Sequence, residues 1–313
     1  MAFDALALFF LFAILGWSAD MAVRNIRYLG SVLNIRLFAF GVLLGLVTTL
    51  PELSLGVNAT IDRAATLSVG NLLGGVIVML GLILGASLVL KNKIKTDGRL
   101  ASAIPAALVI FSPVIFGMDG NYGLADGLAM VGLYIGLLFY LYRINHFQQP
   151  LHINIGYGNK VTKSVIAAIA GIIGVLLASH WIVEITLDLL QYVRVSQLMI
   201  GLLMFSVGTN LPEISIAVAS WRKKSSELSL SHLLSSSFTN VLVLGILALL
   251  RPIPFETNIE YWNVAVFLAA TLAFFAYFYH SGKKMDRREG AILLAIYIAF
   301  VATSLVLAGG IFA

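Results

Sequence analysis

Cysteine is absent from the 313-residue chain, which removes disulfides, thiolate metal sites and thiol chemistry together. Charge is scarce as well: 11% of residues are Asp, Glu, Lys or Arg, against 60% hydrophobic. With a mean hydropathy of +0.96, that balance excludes a soluble domain and defines a polytopic membrane protein. The five histidines, His146, His152, His180, His232 and His280, form no HExxH or comparable ligand pair. No metal triad, nucleophile motif or nucleotide-binding motif stands out, so the chain does not read as an enzyme and no cofactor is expected. The longest hydrophilic stretch, about 144–160, is too short to fold alone, which excludes a soluble regulatory module.

What the chain does have is apolar runs. About ten can be laid out, at roughly 3–23, 37–60, 68–90, 100–117, 121–143, 161–182, 196–221, 229–250, 261–280 and 288–311, each near the ~20 residues a spanning helix needs. The basic residues between them alternate in density. Seventeen fall in loops on one side, among them Arg24, Arg27, Arg36, Lys91, Lys93, Lys95 and Arg222–Lys224, and three, Arg63, Arg194 and Arg251, on the other. That asymmetry is a positive-inside signal. It places both termini outside and the central linker in the cytoplasm of a multi-pass protein of the cell (inner) membrane. It also assigns the basic excess to the membrane face instead of a nucleic acid. Met1–Trp17 lacks a basic n-region and carries Asp4, so the first span is expected to be retained.

Two segments repeat. Thr48-Thr49-Leu50-Pro51-Glu52 returns as Thr209-Asn210-Leu211-Pro212-Glu213, and the same shift of 161 residues places Ser54 on Ser215, Val57 on Val218 and Leu72-Leu73 on Leu233-Leu234. The expected architecture is therefore an all-α membrane protein of about ten transmembrane helices in two five-helix repeats, 1–143 and 161–313, joined by the linker 144–160. An odd number of spans per repeat inverts the second copy, the construction of many secondary transporters. Gly-x3-Gly pairs at Gly41/Gly45, Gly70/Gly74, Gly81/Gly85 and Gly123/Gly127 predict close helix crossings.

A carboxylate inside a span costs roughly 2.5–3.5 kcal/mol even on the lenient insertion scale, and here it occurs twice. Within the spans Lys and Arg occur only at the very ends, at Arg143, Lys163 and Arg288, so none is placed to pair with either glutamate. Pro51 and Pro212 cannot donate to the carbonyls of Val47 and Gly208, which a dehydrated cation could satisfy. On a continuous helix Thr48, Thr49 and Glu52 share a face, as do Thr209, Asn210 and Glu213. Two such faces meeting would form an all-oxygen cage of charge −2, suited to a hard cation such as Ca²⁺, which takes 6–8 oxygens at about 2.3–2.6 Å.

These proline-glutamate segments, each followed by a Gly/Ser-rich helix, resemble the α-repeats of the cation/Ca²⁺ exchanger superfamily, particularly its prokaryotic sodium/calcium exchanger-like members. The resemblance covers essentially the whole chain. Gly208-Thr209-Asn210-Leu211-Pro212-Glu213 departs from the family's G-T/S-S-x-P-E only at Asn210; the first copy has Val47 for the glycine and Thr49 for the serine. The following helix opens with Gly70-Asn71, then shows Gly75 and Met79 where the family has serine and Asn/Asp; the second copy keeps Ser236 and carries Asn240 where an aspartate is common. The resemblance implies metal ligation by Thr48, Thr49, Glu52, Thr209, Asn210, Glu213, Ser236 and Asn240, with Ca²⁺ exchanged for Na⁺, or for H⁺ at the same site. It further implies three Na⁺ per Ca²⁺, whereas two carboxylates balance one Ca²⁺, two Na⁺ or two H⁺. A passive cation channel is the rival from another class, and it would need a continuous polar pore. His232, four residues before Ser236, is either a proton-carrying group or a packing partner. Asp20 and Glu184 either line an ion entrance or lie at solvated helix ends, and Trp17 and Trp181 fit interfacial anchors.

Overall fold

The computed structural model describes residues 2–32, 45–91, 93–95, 100–145, 159–192, 195–214, 217, 230–281 and 284–309. The expected start of the second span, most of the linker, Arg36, Arg222–Lys224, Ser215 and Val218 lie outside the described residues.

The described chain is mostly helical. The helices are α1 (Ala2–Val32), α2 (Leu50–Ile61), α3 (Thr66–Ile77, resuming at Leu84–Lys91), α4 (Leu100–Phe116) and α5 (Leu124–Asn145). They continue with α6 (Asn159–Leu190), α7 (Gln197–Ile200, resuming at Ser206–Thr209), α8 (Leu230–Leu250), α9 (Ile259–Ser281) and α10 (Arg287–Gly309). The gaps in α3 and α7 are π-helical turns, Val78–Ile83 and Gly201–Phe205, so each helix continues through a local widening. Among the described residues, seven helices are long and apolar enough to cross a bilayer, and Ala103–Asp119 and Gln197–Thr209 are shorter apolar ones.

Two helices exceed the spans their hydropathy suggested. α1 runs on to Val32 and α6 to Leu190, 31 and 32 residues, or roughly 46–48 Å at 1.5 Å per residue. Asp20 therefore lies inside a helix, not at its end. Its carboxylate is clasped by Arg24 one turn on, at 2.8 Å from Nε and 2.7 Å from Nη2, and this pairing lets the helix continue through both charges. Glu184 likewise lies inside α6, 3.9 Å from His180. Trp17 and Trp181 are exposed, as expected for anchors.

The core divides into two apolar bodies. One is built from Leu8, Phe12, Leu15 and Ala19 of α1 with Val175, Ala178, Ile182 and Val183 of α6. These helices touch backbone to backbone: a side chain on Gly171 would collide with the Ser18 carbonyl at 2.6 Å. The larger body gathers α3, α4, α5, α8, α9 and α10, with α3 and α8 the most enclosed. Two short antiparallel strand pairs tie its ends: β1 (Lys93–Lys95) with β4 (Lys284–Asp286), and β2 (Asn121–Tyr122) with β3 (Ile253–Pro254). Beside the second pair, the hydroxyls of Tyr122 and Tyr261 donate to the Pro113 and Val114 carbonyls at 2.8 and 2.6 Å, capping the end of α4.

Candidate cation site

Each motif proline starts a helix instead of interrupting one. The backbone leaves helical geometry at Thr49 (φ −92°, ψ 11°) and α2 begins at Leu50, with Pro51 in its first turn. There a missing N–H costs nothing and the fixed φ is favourable. The second copy breaks at Asn210 with nearly the same torsions, φ −86° and ψ 11°. The shared faces expected of continuous helices are thus replaced by paired half-helix ends. Carbonyls end the preceding half-helix and attract cations, while Glu52 occupies the first turn of the next, where helix N–H groups favour an anion.

Polar side chains close each break. Thr48 Oγ1 donates to the Gly45 carbonyl at 3.0 Å, and Thr49 Oγ1 to those of Gly45 and Leu46 at 3.1 and 3.2 Å. Asn210 Nδ2 donates to the Ser206 carbonyl at 2.7 Å. A threonine hydroxyl that has given its proton to a carbonyl keeps its lone pairs for a cation.

All eight residues expected from the sequence are buried, each no more than 3% exposed. Thr48 Oγ1 lies 3.4 Å from Ser236 Oγ, joining the first motif to α8. The Thr209 hydroxyl donates to Asn71 Oδ1 on α3 at 3.1 Å and contacts the Glu52 carboxylate, which also feels the charge of Glu213. Asn210 and Asn240 converge on Gly75: a Cβ there would lie 3.2 Å from each amide nitrogen. Thr49 is the exception, since among the described residues its hydrogen bonds stay within its own segment.

Four acceptor oxygens in this cluster are buried with no hydrogen-bond donor among the described residues: Glu52 Oε2, Glu213 Oε2, Asn210 Oδ1 and Asn240 Oδ1. The amide orientations are forced, because Asn210 and Asn240 each turn nitrogen toward a carbonyl, Ser206 and Leu72 (3.1 Å), and only NH₂ can donate there. Leaving one such group unpaired costs about 1–3 kcal/mol, and more for a charge. A cation brought within reach of these oxygens would supply the partner that the protein does not.

Asn71 was not among the expected ligands. It is buried, holds Thr209 and has an Nδ2 without a partner among the described residues. The signal was an asparagine in the middle of an apolar span, one turn before Gly75. A polar seam outside the cage also went unread: Ser54 bonds Ser179 of α6, and Asn58 Nδ2 donates to the same hydroxyl at 3.0 Å. His232 falls in α8, but its side chain lies outside the described residues.

The crowding at Gly75 makes a prediction. Gly75→Ala forces both amides to give by a few tenths of an ångström, which should raise the Ca²⁺ concentration for half-maximal uptake about tenfold, equal to ~1.4 kcal/mol. Vesicle uptake measured against Ca²⁺ concentration checks it, with the detergent-purified yield unchanged.

Buried paired carboxylates on broken helices, surrounded by neutral oxygens, define a membrane carrier of cations. The chain belongs to the sodium/calcium exchanger protein family, which it matches over residues 3–143 and 163–306. It is 26% identical to the membrane protein MJ0091 of Methanocaldococcus jannaschii over 93% of this chain and 94% of that one. To the sodium/calcium exchanger MaX1 of Methanosarcina acetivorans it is 23% identical, over 90% and 93%. Among solved structures, the sodium-calcium exchanger NCX_Mj superimposes with a TM-score of 0.68 at 23% identity, covering 96% of this chain and 99% of that one. The H⁺/Ca²⁺ exchanger CAX gives 0.76 at 14% identity, covering 98% and 87%. These structural likenesses concern the fold.

Proposed function

We propose that the protein is a secondary-active antiporter that exchanges Ca²⁺ for Na⁺ at one site between Glu52 and Glu213. The observation that carries this reading is the set of four donor-less buried oxygens, two of them carboxylate. Thr48, Thr49, Thr209, Asn210, Ser236 and Asn240 complete the ligand set, with Asn71 positioning Thr209. H⁺ coupling uses the same carboxylates, because a proton on either one removes a ligand; acidification on the Ca²⁺ side should then lower uptake.

The ten-span, inverted arrangement is part of the proposal, with termini outside and linker cytoplasmic. It is supported by a contact that repeats under the 161-residue shift. A Cβ on Gly74 would meet Ser206 Cβ at 3.1 Å, and one on the shifted partner, Gly45, would meet Ser235 Oγ at 3.1 Å. In this scheme α1 and α6 move as a pair against the larger body to open the cage to either side. Each packs on the other half's motif: Phe12 of α1 stacks edge-on against Phe205 at 5.7 Å, and Ser179 of α6 meets Ser54 and Asn58.

The test is ⁴⁵Ca²⁺ uptake into proteoliposomes under imposed Na⁺ or H⁺ gradients, applied separately. Saturable uptake that requires the opposing gradient supports exchange. Ohmic current without a counter-ion supports the channel, and failure under both gradients rejects the reading.

A further inference from the structure

We propose that exchange at this site is electroneutral: each crossing carries two positive charges, one divalent cation against two monovalent ones. This rests on the exchange reading and specifies its stoichiometry. The cage holds two acids. Among the described residues the buried acids are Glu52, Glu213 and Glu260, and no Lys or Arg is buried. Glu260 belongs elsewhere: Ser196, which caps α7 by accepting from Met199 N at 3.0 Å, donates to the Glu260 carboxylate at the far end of that helix. Among the described residues the fixed charge around the cation is therefore −2.

A third monovalent ion would need oxygens that one wall does not supply. That wall is α3, where Asn71, Gly75 and Met79 succeed each other at one-turn intervals. At Gly75 the space beside the backbone is flanked by the NH₂ groups of Asn210 and Asn240, both donors. Their nitrogens are held there by the Ser206 and Leu72 carbonyls, so neither amide can turn its oxygen into that space without losing its bond. At Met79 the wall is a buried thioether, and the neighbouring Ser237 hydroxyl is directed at the Leu233 carbonyl (2.8 Å) and at Met79 Sδ (3.8 Å). A third cation would meet donors and sulfur on this side, with no carboxylate left to neutralise it. An uncompensated charge inside the bilayer is the costly state. One Ca²⁺ or two monovalent cations bring the cage to zero.

The experiment uses the full-length protein in proteoliposomes that accumulate ⁴⁵Ca²⁺ against a fixed Na⁺ gradient, and separately against a fixed H⁺ gradient. The same K⁺ gradient is present throughout, and valinomycin is added to half the samples to impose about 100 mV, so K⁺ chemistry is identical in both arms. Electroneutral exchange predicts a steady-state accumulation that valinomycin changes by less than about twofold. One net charge per cycle, worth ~2.3 kcal/mol at 100 mV, would change it by about 50-fold. That result would overturn electroneutrality and leave the exchanger standing. Absence of uptake under either gradient would remove the exchange reading and this inference with it.

Discussion

Glu52→Gln and Glu213→Gln should each lower gradient-driven Ca²⁺ uptake by at least ~100-fold while leaving the protein folded. Glutamine keeps the volume and one acceptor oxygen but removes the charge that holds a dehydrated divalent ion. Taking one partner from a buried charged pair costs about 3–5 kcal/mol, which at ~1.4 kcal/mol per decade is a loss of roughly two to three and a half decades in affinity. The effect on the ion-free protein has the opposite sign. Two carboxylates buried at 2% exposure, each with a donor-less oxygen, burden the fold when no cation is bound. Both variants should therefore melt in EGTA at or above the wild-type temperature and lose the rise in Tm that Ca²⁺ gives the wild type. Near-normal transport by both would falsify the assignment of these residues. A structural role alone predicts the reverse pattern, with a lowered ion-free Tm.

The second large effect concerns the crossing of α3 and α7. A Cβ on Gly70 would run into the Leu198 carbonyl and lie 3.0 Å from Gly201 Cα, while one on Gly201 would run into the Leu67 carbonyl and lie 3.0 Å from Gly70 Cα. The two glycines face each other in a reciprocal contact, and each obstructing group is backbone, which cannot rotate away. Gly70→Ala or Gly201→Ala should cost about 1–3 kcal/mol each, the range for overpacking a tight core. Larger residues should abolish monodisperse protein, because separating these helices also separates Asn71 from Thr209 one residue further along α3. The contrast is Gly132 or Gly136 in α5, where an added Cβ meets nothing within 4 Å. Alanine there should be neutral or stabilising by up to ~1 kcal/mol, since helix propensity then decides. Thermal unfolding by size-exclusion chromatography distinguishes the two classes, and equal behaviour would refute the crossing.

Much of this was legible before any coordinates. The TxLPE copies singled out the two buried glutamates, because a charged side chain in an apolar run has no cheap structural explanation. The 161-residue offset aligned the two copies in sequence, and the structure adds a contact that recurs under the same offset, Gly45 with Ser235 and Gly74 with Ser206. The lengths of α1 and α6 were not legible, since hydropathy falls at Asp20 and Arg24, whose mutual neutralisation depends on helical geometry. The broken helices were half visible: proline announced a disturbance, but placing the break at Thr49 and Asn210, with proline inside the next first turn, required the backbone. The amide wall at Gly75 was hidden for a different reason. Its polarity is set by carbonyls of Leu72 and Ser206, and no side-chain code records which way a carbonyl points.

Diffraction from crystals grown with Sr²⁺, a heavier analogue of Ca²⁺, tests the central claim most directly. One anomalous peak should bridge the Glu52 and Glu213 carboxylates, with both oxygens at roughly Ca²⁺-like distances of 2.3–2.6 Å or slightly longer. A peak bound to only one glutamate, or glutamates turned toward lipid, would contradict it.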